Sequence, residues 1–155
     1  MWCWVQIKTD NMWKTFKTNK ELGIFLYQTY SLFAFLAGIR NYDCCEPLAP
    51  LKWLPFDLND PNISEEAVEG CKTYFTVSEL LSFDYDKVFE NRRPHPQHNK
   101  EDIIKIDGYM EVLKPGKGRM VSYRENLGEH FFTSLAILQG LGDPQNVRII
   151  ICFDY

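Results

Sequence analysis

The sequence contains none of the short motifs that identify the common catalytic and nucleotide-binding sites. GxSxG, the Walker motif GxxxxGK[ST], GxGxxG and HExxH are all absent. The nearest approach is KPGKGR at residues 114–119, but a proline follows its first lysine and no Ser or Thr follows its second. A positively charged hairpin turn is the simpler interpretation, and the sequence assigns no catalytic residue.

Metal-ligand patterns are equally scarce. The three histidines are His95, His98 and His130, and no cysteine flanks them at a spacing that suits zinc. The five cysteines include no CxxC pair, and the adjacent Cys44 and Cys45 are poorly placed to bridge each other. Most cysteines lie among apolar neighbours, which is typical of buried thiols in a reducing cytosol. The sequence therefore predicts neither a metal nor a cofactor.

Positive charge and long apolar runs are also in short supply. A formal net charge of -4 argues against bulk attraction to DNA, RNA or anionic lipid. Two local basic clusters, Arg92 with Arg93 and the loop with Lys114, Lys117 and Arg119, are most simply solvated loop charge. The longest apolar run covers residues 32–39, too short to span a bilayer, and no secretory leader is visible. We expect a cytoplasmic protein without a membrane partner.

The chain contains enough apolar and aromatic side chains for one globular domain over residues 1–155. Hydrophobic residues make up 45% of the sequence and aromatic residues 15%, which excludes disorder for most of it. Residues 2–8 and 13–17 alternate as the strands of an antiparallel hairpin, and residues 22–27 favour extended structure. The closing stretch VRIIICF is typical of a central strand buried on both faces.

Helix signals lie between these strands. Thr29 or Ser31 can cap an apolar helix that ends at Gly38, and TVSELL matches the reciprocal capping box. Residues 64–70 and EHFFTSLAILQ are two further predicted helices, whereas the polar tract near 90–102 predicts a mobile insertion. The fold class is therefore α+β, with an antiparallel or mixed sheet, an N-terminal hairpin, a central C-terminal strand and short helices packed on one face.

Polar residues that follow the first apolar helix form the predicted ligand site. A guanidinium suits phosphate, rings can stack on a base, and amide and carboxylate groups can bind sugar or base edges. Another ring lies between Asp84 and Asp86, where it could be exposed for stacking. The predicted ligand-binding residues are Arg40, Asn41, Tyr42, Asp43, Lys52, Trp53, Asp57 and Tyr85.

A purely structural interpretation of the same residues is also open. In it Arg40 pairs with Asp43 or Asp57 and fixes the loop, while Asn41 adopts the left-handed geometry that ends a helix. The neighbouring Asp84 and Asp86 could likewise be ordinary charge at a helix exit, because no third metal ligand is identifiable.

The sequence resembles an uncharacterised family of small phage and prophage proteins. The matching stretches are YSLFAFLAGIRNYD, PLAPLKWLPFDL, YFTVSELLSFDYD, YRENLGEHFF and LGDPQNVRIIICFDY, which cover about two fifths of the chain in order. The family pattern has a Trp-rich first strand, an Arg-Asn-Tyr helix exit, a Leu-Pro-Asp turn and an Asp after the last strand. These features fall on Trp2 and Trp4, residues 40–42, residues 54–57 and Asp154, with Phe56 as a departure.

The resemblance implies a viral context and no particular chemistry. Compact phage accessory proteins often act on host defence, and one strategy is to bind a host nucleotide signal without cleaving it. We therefore expect an anti-defence protein, homo-oligomeric and located in the host bacterial cytosol, that sequesters a nucleotide-derived immune signal. Two alternatives stay open: a phosphodiesterase-like enzyme that uses Asp84, Asp86 or His130, and a module that binds and inhibits a host defence protein.

Overall fold

The computed structural model describes residues 1–54 and 69–153, and only the backbone at residues 71 and 72. Helices and antiparallel strands are mixed along the chain, which confirms the α+β class. The described helices are α1 Asn19–Leu22, α2 Tyr30–Ala37, α3 Val77–Ser82, α4 Tyr123–Leu127 and α5 Glu129–Gln139. The described strands are β1 Trp2–Thr9, β2 Met12–Thr18, β3 Cys71–Thr76, β4 Val88–Asn91, β5 Ile103–Ile106, β6 Met110–Leu113, β7 Arg119–Ser122 and β8 Val147–Cys152.

The chain divides into two compact units. Unit 1 contains the described parts of Met1–Gln28, Ala49–Phe83 and Glu129–Tyr155, and unit 2 contains Thr29–Leu48 and Asp84–Gly128. The chain passes between the units four times, at residues 28/29, 48/49, 83/84 and 128/129. Neither unit is therefore a continuous segment of the sequence.

Unit 1 is built on a four-stranded antiparallel sheet with the order β2-β1-β8-β3. The predicted hairpin joins β1 to β2 through Asp10 and Asn11, whose φ angles of 50° and 61° suit a two-residue turn. Strand β8 lies between β1 and β3, and all six of its residues are buried. Both the hairpin and the interior position of the C-terminal strand are confirmed.

Local helix signals in unit 1 are also confirmed. Thr76 and Glu79 form the predicted capping box at the start of α3. Helix α5 buries Phe131, Leu135 and Leu138, the three residues that the 3.6-residue period places on one face. The expectation of extended structure over 22–27 is wrong, because Leu22 ends α1, Gly23 and Phe25 have left-handed φ angles of 69° and 49°, and none of these residues lies in a strand. The predicted helix over 64–70 lies outside the described residues except at 69 and 70.

One tryptophan of the hairpin lies against a buried arginine in unit 1. Arg148 on β8 is 3% exposed, its Nε donates to Gln6 Oε1 at 2.8 Å, and its guanidinium lies 4.2 Å from the Trp13 ring centroid. Trp2 and Trp4 pack edge to face at 6.4 Å. Trp13 of the hairpin and Tyr74 of β3, whose ring centroid is 5.7 Å away, therefore lie beside the buried guanidinium, where a cation gains from the ring face.

Unit 2 contains a buried helix and two small sheets. Helix α2 is capped by Thr29, whose hydroxyl accepts from the Leu32 amide at 3.1 Å, and it ends at the left-handed Gly38. The Phe35 ring lies 5.8 Å from Tyr85 and 5.7 Å from Tyr123. Strand β4 pairs with β7, and β5 pairs with β6, both antiparallel.

None of the described helices has both the length and the apolar character that a transmembrane span requires.

The cysteines of the described residues differ in state. Cys3, Cys44 and Cys45 are free thiols, two of them buried, whereas Cys152 is disulfide-bonded. The disulfide at Cys152 differs from the expectation of thiols alone.

Candidate ligand-binding site

The predicted site begins in unit 2 with an exposed arginine. Arg40 has a left-handed φ of 49°, and its guanidinium lies 5.6 Å from the Tyr30 ring centroid. No carboxylate of the described residues lies within ion-pair distance of it. The pairing of Arg40 with Asp43 is therefore wrong, and Asp57, its other suggested partner, lies outside the described residues.

The next two residues have different surroundings. The Asn41 side chain closes the loop on itself, because its Nδ2 donates to the Cys45 carbonyl at 2.7 Å and its Oδ1 accepts from the Cys45 amide at 3.1 Å. The left-handed geometry expected at Asn41 occurs at Arg40 and Cys44 instead. The Tyr42 ring lies 5.4 Å from Tyr30. Arg40 and Tyr42 are thus brought together around one exposed ring.

Asp43 is the fully buried member of the predicted site. Its Oδ2 accepts from Asn126 Nδ2 at 2.9 Å, and its Oδ1 lies 2.7 Å from Arg93 Nε. The second contact is an ion pair without the alignment of a hydrogen bond. Arg93 rather than Arg40 therefore neutralises this buried carboxylate. The Arg93 guanidinium also lies 5.8 Å from the Tyr30 ring centroid.

Two other predicted residues belong to unit 1. The Lys52 ammonium pairs with the Glu79 carboxylate and lies 5.0 Å from the Phe75 ring centroid. Trp53 is 61% exposed and has a left-handed φ of 59°. Asp57 falls outside the described residues, so its part in the site stays a prediction.

The expectation of an exposed ring at Tyr85 is wrong. Tyr85 is 7% exposed and packs on Phe35, and its burial raises the pKa of its hydroxyl. The flanking acids have their own partners: the Asp86 amide donates to Asp84 Oδ1 at 3.1 Å, and Arg124 Nε donates to Asp86 Oδ1 at 2.8 Å. These contacts fit the structural interpretation of the acid pair.

A basic recess in unit 2 was not predicted from the sequence. It has a volume of about 700 Å³, within the usual range for ligand sites. Three of its side chains are cationic, two are imidazoles, and none is a carboxylic acid. The lining residues are Asn91, Arg93, Pro94, His95, Gln97, His98, Leu113, Lys117, Gly118 and Arg119.

Pairing of β4 with β7 brings these residues together. Asn91 lies opposite Arg119 in the antiparallel register, so the chain that leaves β4 and the chain that enters β7 meet at one end of the sheet. Gly118 is required there, because a Cβ would collide with the Asn91 carbonyl. The Arg92 amide donates to the Asp43 carbonyl at 3.1 Å, and the Leu113 amide donates to the Arg92 carbonyl at 2.8 Å.

Each cation of the recess has one carboxylate partner and further donors. Lys117 Nζ lies 3.3 Å from Asp102 Oδ1, and Arg119 Nη1 donates to Glu125 Oε1 at 2.8 Å. Both side chains are more than half exposed. Arg93 Nη2 is buried and lacks a hydrogen-bond partner in the part of the chain that the structure describes. Since a guanidinium has five N–H donors and an ammonium three, donors stay available for an anion.

The histidines fall at different places. In the recess, the His95 amide donates to His98 Nδ1 at 2.9 Å, which fixes the turn. His130 belongs to unit 1, where its ring stacks on Tyr27 at 4.0 Å. Across residues 1–54 and 69–153, no three His, Cys, Asp or Glu side chains are grouped as a metal site requires.

The free thiols are poor nucleophiles. Burial raises the pKa of the Cys3 and Cys45 thiols to about 12, and it also raises the pKa of the Cys44 thiol. These three cysteines therefore remain protonated at neutral pH. A protonated thiol is a weak nucleophile, because the thiolate is the reactive form. Cysteine chemistry therefore has no support at these positions.

Comparison with known proteins gives no match that bears on this geometry. No protein-family model, no curated protein and no solved structure matches the chain. The resemblance to small phage proteins therefore stays a prediction, and the function is inferred from the residues of the site.

Proposed function

We propose that the protein binds a nucleotide through its phosphate groups in the basic recess of unit 2 and sequesters it without cleaving it. In the viral context that the sequence resembles, it acts in the host cytosol as an anti-defence protein that withdraws a nucleotide-derived immune signal. The observation that carries the proposal is the lining of the recess, with three cations, two imidazoles and no acid.

The chemistry of the lining suits phosphate. Guanidinium groups bind phosphate oxygens through paired, charge-assisted hydrogen bonds, and lysine adds a compact positive charge. These interactions are local, so they are compatible with a net charge of -4. A ligand of small size and high negative charge fits better than a nucleic-acid duplex, which needs a broad basic surface.

A stacking surface lies next to the recess. Arg93 lines the recess and also contacts Tyr30, and the exposed Tyr30 ring in turn contacts Arg40 and Tyr42. A base can stack on such rings and on a guanidinium plane. With phosphate in the recess and a base beside Tyr30, Tyr42 would have the stacking role predicted from the sequence, whereas Arg40 would contact the base and not the phosphate for which it was predicted.

A phosphodiesterase is the second candidate function. It is favoured by His95 and His98, because imidazoles beside a bound phosphate can act as general acid and base. Sequestration leaves the bound nucleotide intact, whereas a phosphodiesterase cleaves it. One experiment on the fate of the nucleotide therefore distinguishes the two candidates.

We expect a bound nucleotide to be recovered intact. The protein is incubated with cyclic dinucleotides and with ADP-ribose derivatives, freed of unbound ligand and heat-denatured, and the released compounds are identified by mass spectrometry. Intact ligand supports sequestration, since tight binding alone leaves its covalent structure unchanged. New products would contradict sequestration and support the enzyme, and the absence of both binding and turnover would exclude both candidates.

Removing charge from the recess is expected to weaken binding. The double variant Lys117→Gln/Arg119→Gln should bind nucleotide at least about tenfold more weakly in calorimetry, because two charge-assisted contacts to phosphate are lost. The matched control is Lys87→Gln/Lys105→Gln, which removes the same charge from two other exposed ion pairs of unit 2. Equal weakening by both double variants would show that only net charge matters, and would contradict the assignment of the recess.

A further inference from the structure

Two connecting segments supply most of the recess lining. Residues 93–98 follow β4, and residues 114–118 join β6 to β7. Since β6 pairs with β5 and β7 pairs with β4, the second segment connects two different sheets and is not the hairpin turn that KPGKGR predicts. The titratable side chains of the lining come from these segments and from the start of β7, and they are Arg93, His95, His98, Lys117 and Arg119.

The cations of the recess are already balanced by carboxylates. The three ion pairs are Arg93 with Asp43, Lys117 with Asp102 and Arg119 with Glu125. Each pair has no net charge, although the three carboxylates lie outside the recess lining. A bound phosphate can therefore accept hydrogen bonds from these cations, but it adds negative charge that the pairs do not balance.

Two imidazoles are the titratable side chains of the lining that have no carboxylate partner among the described residues, His95 and His98. Imidazole is the side chain that ordinarily gains its positive charge between pH 8 and pH 5. No carboxylic acid belongs to the described lining, so none competes with a bound anion for a protonated ring. The next charged residues of the chain, Lys100 and Glu101, are exposed and lie outside the lining. The two rings are thus where the missing positive charge can arise.

The His98 ring is placed to accept a proton without loss of the turn. Its Nδ1 accepts from the His95 amide at 2.9 Å, so the neutral ring has its hydrogen on Nε2. The same Nδ1 lies 3.2 Å from the His95 carbonyl oxygen, which can accept a hydrogen bond once Nδ1 is protonated. The turn itself is closed by the His98 amide, which donates to that carbonyl at 2.9 Å. Both charge states of His98 therefore suit the same backbone.

We infer that His95 and His98 supply the counter-charge for the anion in the basic recess, so that ligand and protons bind together, with the His98 proton at Nδ1. The protons come from solvent, and no covalent bond of the ligand changes. The inference rests on the proposed function, and it gives the imidazoles a role in binding rather than in cleavage. Because ligand and proton favour each other reciprocally, ligand affinity increases as the pH falls through the range in which imidazoles become charged.

Affinity is therefore expected to depend on pH even for a ligand that does not titrate. Sulfate and a cyclic dinucleotide are suitable probes, because both keep a constant charge between pH 8 and pH 5.5. In calorimetry each should bind the unmodified protein at least about tenfold more tightly at pH 5.5 than at pH 8, because positive charge is gained beside the anion. At pH 7, heats of binding in two buffers of different ionisation enthalpy should show net uptake of protons.

Variants identify the groups that take up the protons. In His95→Asn/His98→Asn the pH effect should shrink to less than about twofold, because an amide side chain stays neutral while its oxygen can still accept from the backbone. The matched control is His130→Asn, which removes the histidine of unit 1 and should keep the full effect. A tenfold effect that persists in the double variant would assign the protons to other groups and overturn the inference, as would an equal loss in His130→Asn.

A second measurement does not depend on the stability of the variants. Ring nitrogen resonances of the histidines in the unmodified protein are followed by NMR at pH 7 while sulfate is added. We expect the protonated fraction of His98 Nδ1 to increase as the recess fills, and that of His130 to stay constant. An unchanged protonated fraction at His95 and His98 during saturable binding would overturn the inference.

The two proposals can fail separately. If the cyclic dinucleotide binds without a pH effect that the two histidines cause, the counter-charge is wrong and the proposed function stands. If sulfate binds with uptake of protons but no nucleotide binds, the counter-charge stands for a small anion and the proposed function is wrong. If neither anion binds, both are wrong.

Discussion

Replacing Arg93 with methionine is expected to lower the free energy of unfolding by about 2–3 kcal/mol, measured by urea denaturation. Asp43 is fully buried, and Arg93 is its ion-pair partner. Without the guanidinium, the carboxylate keeps one hydrogen bond from Asn126 and loses its compensating charge. The expected loss lies below that of a fully buried pair, because the Arg93 side chain is 37% exposed.

A matched variant and a rescue make this result specific. Arg40→Met removes the same group from the same Tyr30 ring but breaks no ion pair among the described residues, so it should cost less than about 0.5 kcal/mol. Combining Asp43→Asn with Arg93→Met should restore at least about half of the loss, since no buried charge then remains. Equal effects of the two arginine substitutions, or no rescue, would contradict the assigned pair.

Those parts of the fold that local sequence determines were predictable. Alternation on both sides of Asp10 and Asn11 identified the hairpin, and Thr76 with Glu79 identified the start of α3. The β-branched run before Cys152 identified the buried strand. In each case the signal lies within a few residues, where strand pleat, turn geometry and capping operate.

Strands that depend on distant partners were missed. β3 and β4 have short, mixed sequences, and each is stabilised by pairing with a strand much later in the chain, β8 and β7 respectively. The tract near 90–102 was expected to be a mobile insertion because it is polar and contains prolines. Its beginning is part of β4, and backbone hydrogen bonds from Arg92, Leu113 and Lys114 connect it to other segments.

The purely structural alternative for the site was wrong for the same reason. It paired Arg40 with Asp43 because they are close in sequence, whereas the partner of Asp43 comes from the chain beyond β4. The basic residues around Arg93 and Lys117 were interpreted as two unrelated loops with solvated charge. The antiparallel register of Asn91 with Arg119 places both loops at one end of a sheet, and this register was the missing information.

The central strand of unit 1 gives the second large effect. Ile151 has no exposed surface, and it lies between Cys3 of β1 and Thr73 of β3 in the sheet. We expect Ile151→Ala to lower the free energy of unfolding by about 3–4 kcal/mol, because it removes buried methyl and methylene groups and leaves a cavity. Ile151→Val, which removes one carbon, should cost only about 1 kcal/mol.

The control for this series is an isoleucine that is similar in size and partly solvated. Ile137 on α5 is 37% exposed, so Ile137→Ala leaves no closed cavity and should cost about 1 kcal/mol or less. Urea denaturation of the three variants should therefore rank Ile151→Ala well above the other two. A cost at Ile151 no greater than that at Ile137 would mean that β8 is not packed on both sides, and would contradict its interior place in the sheet.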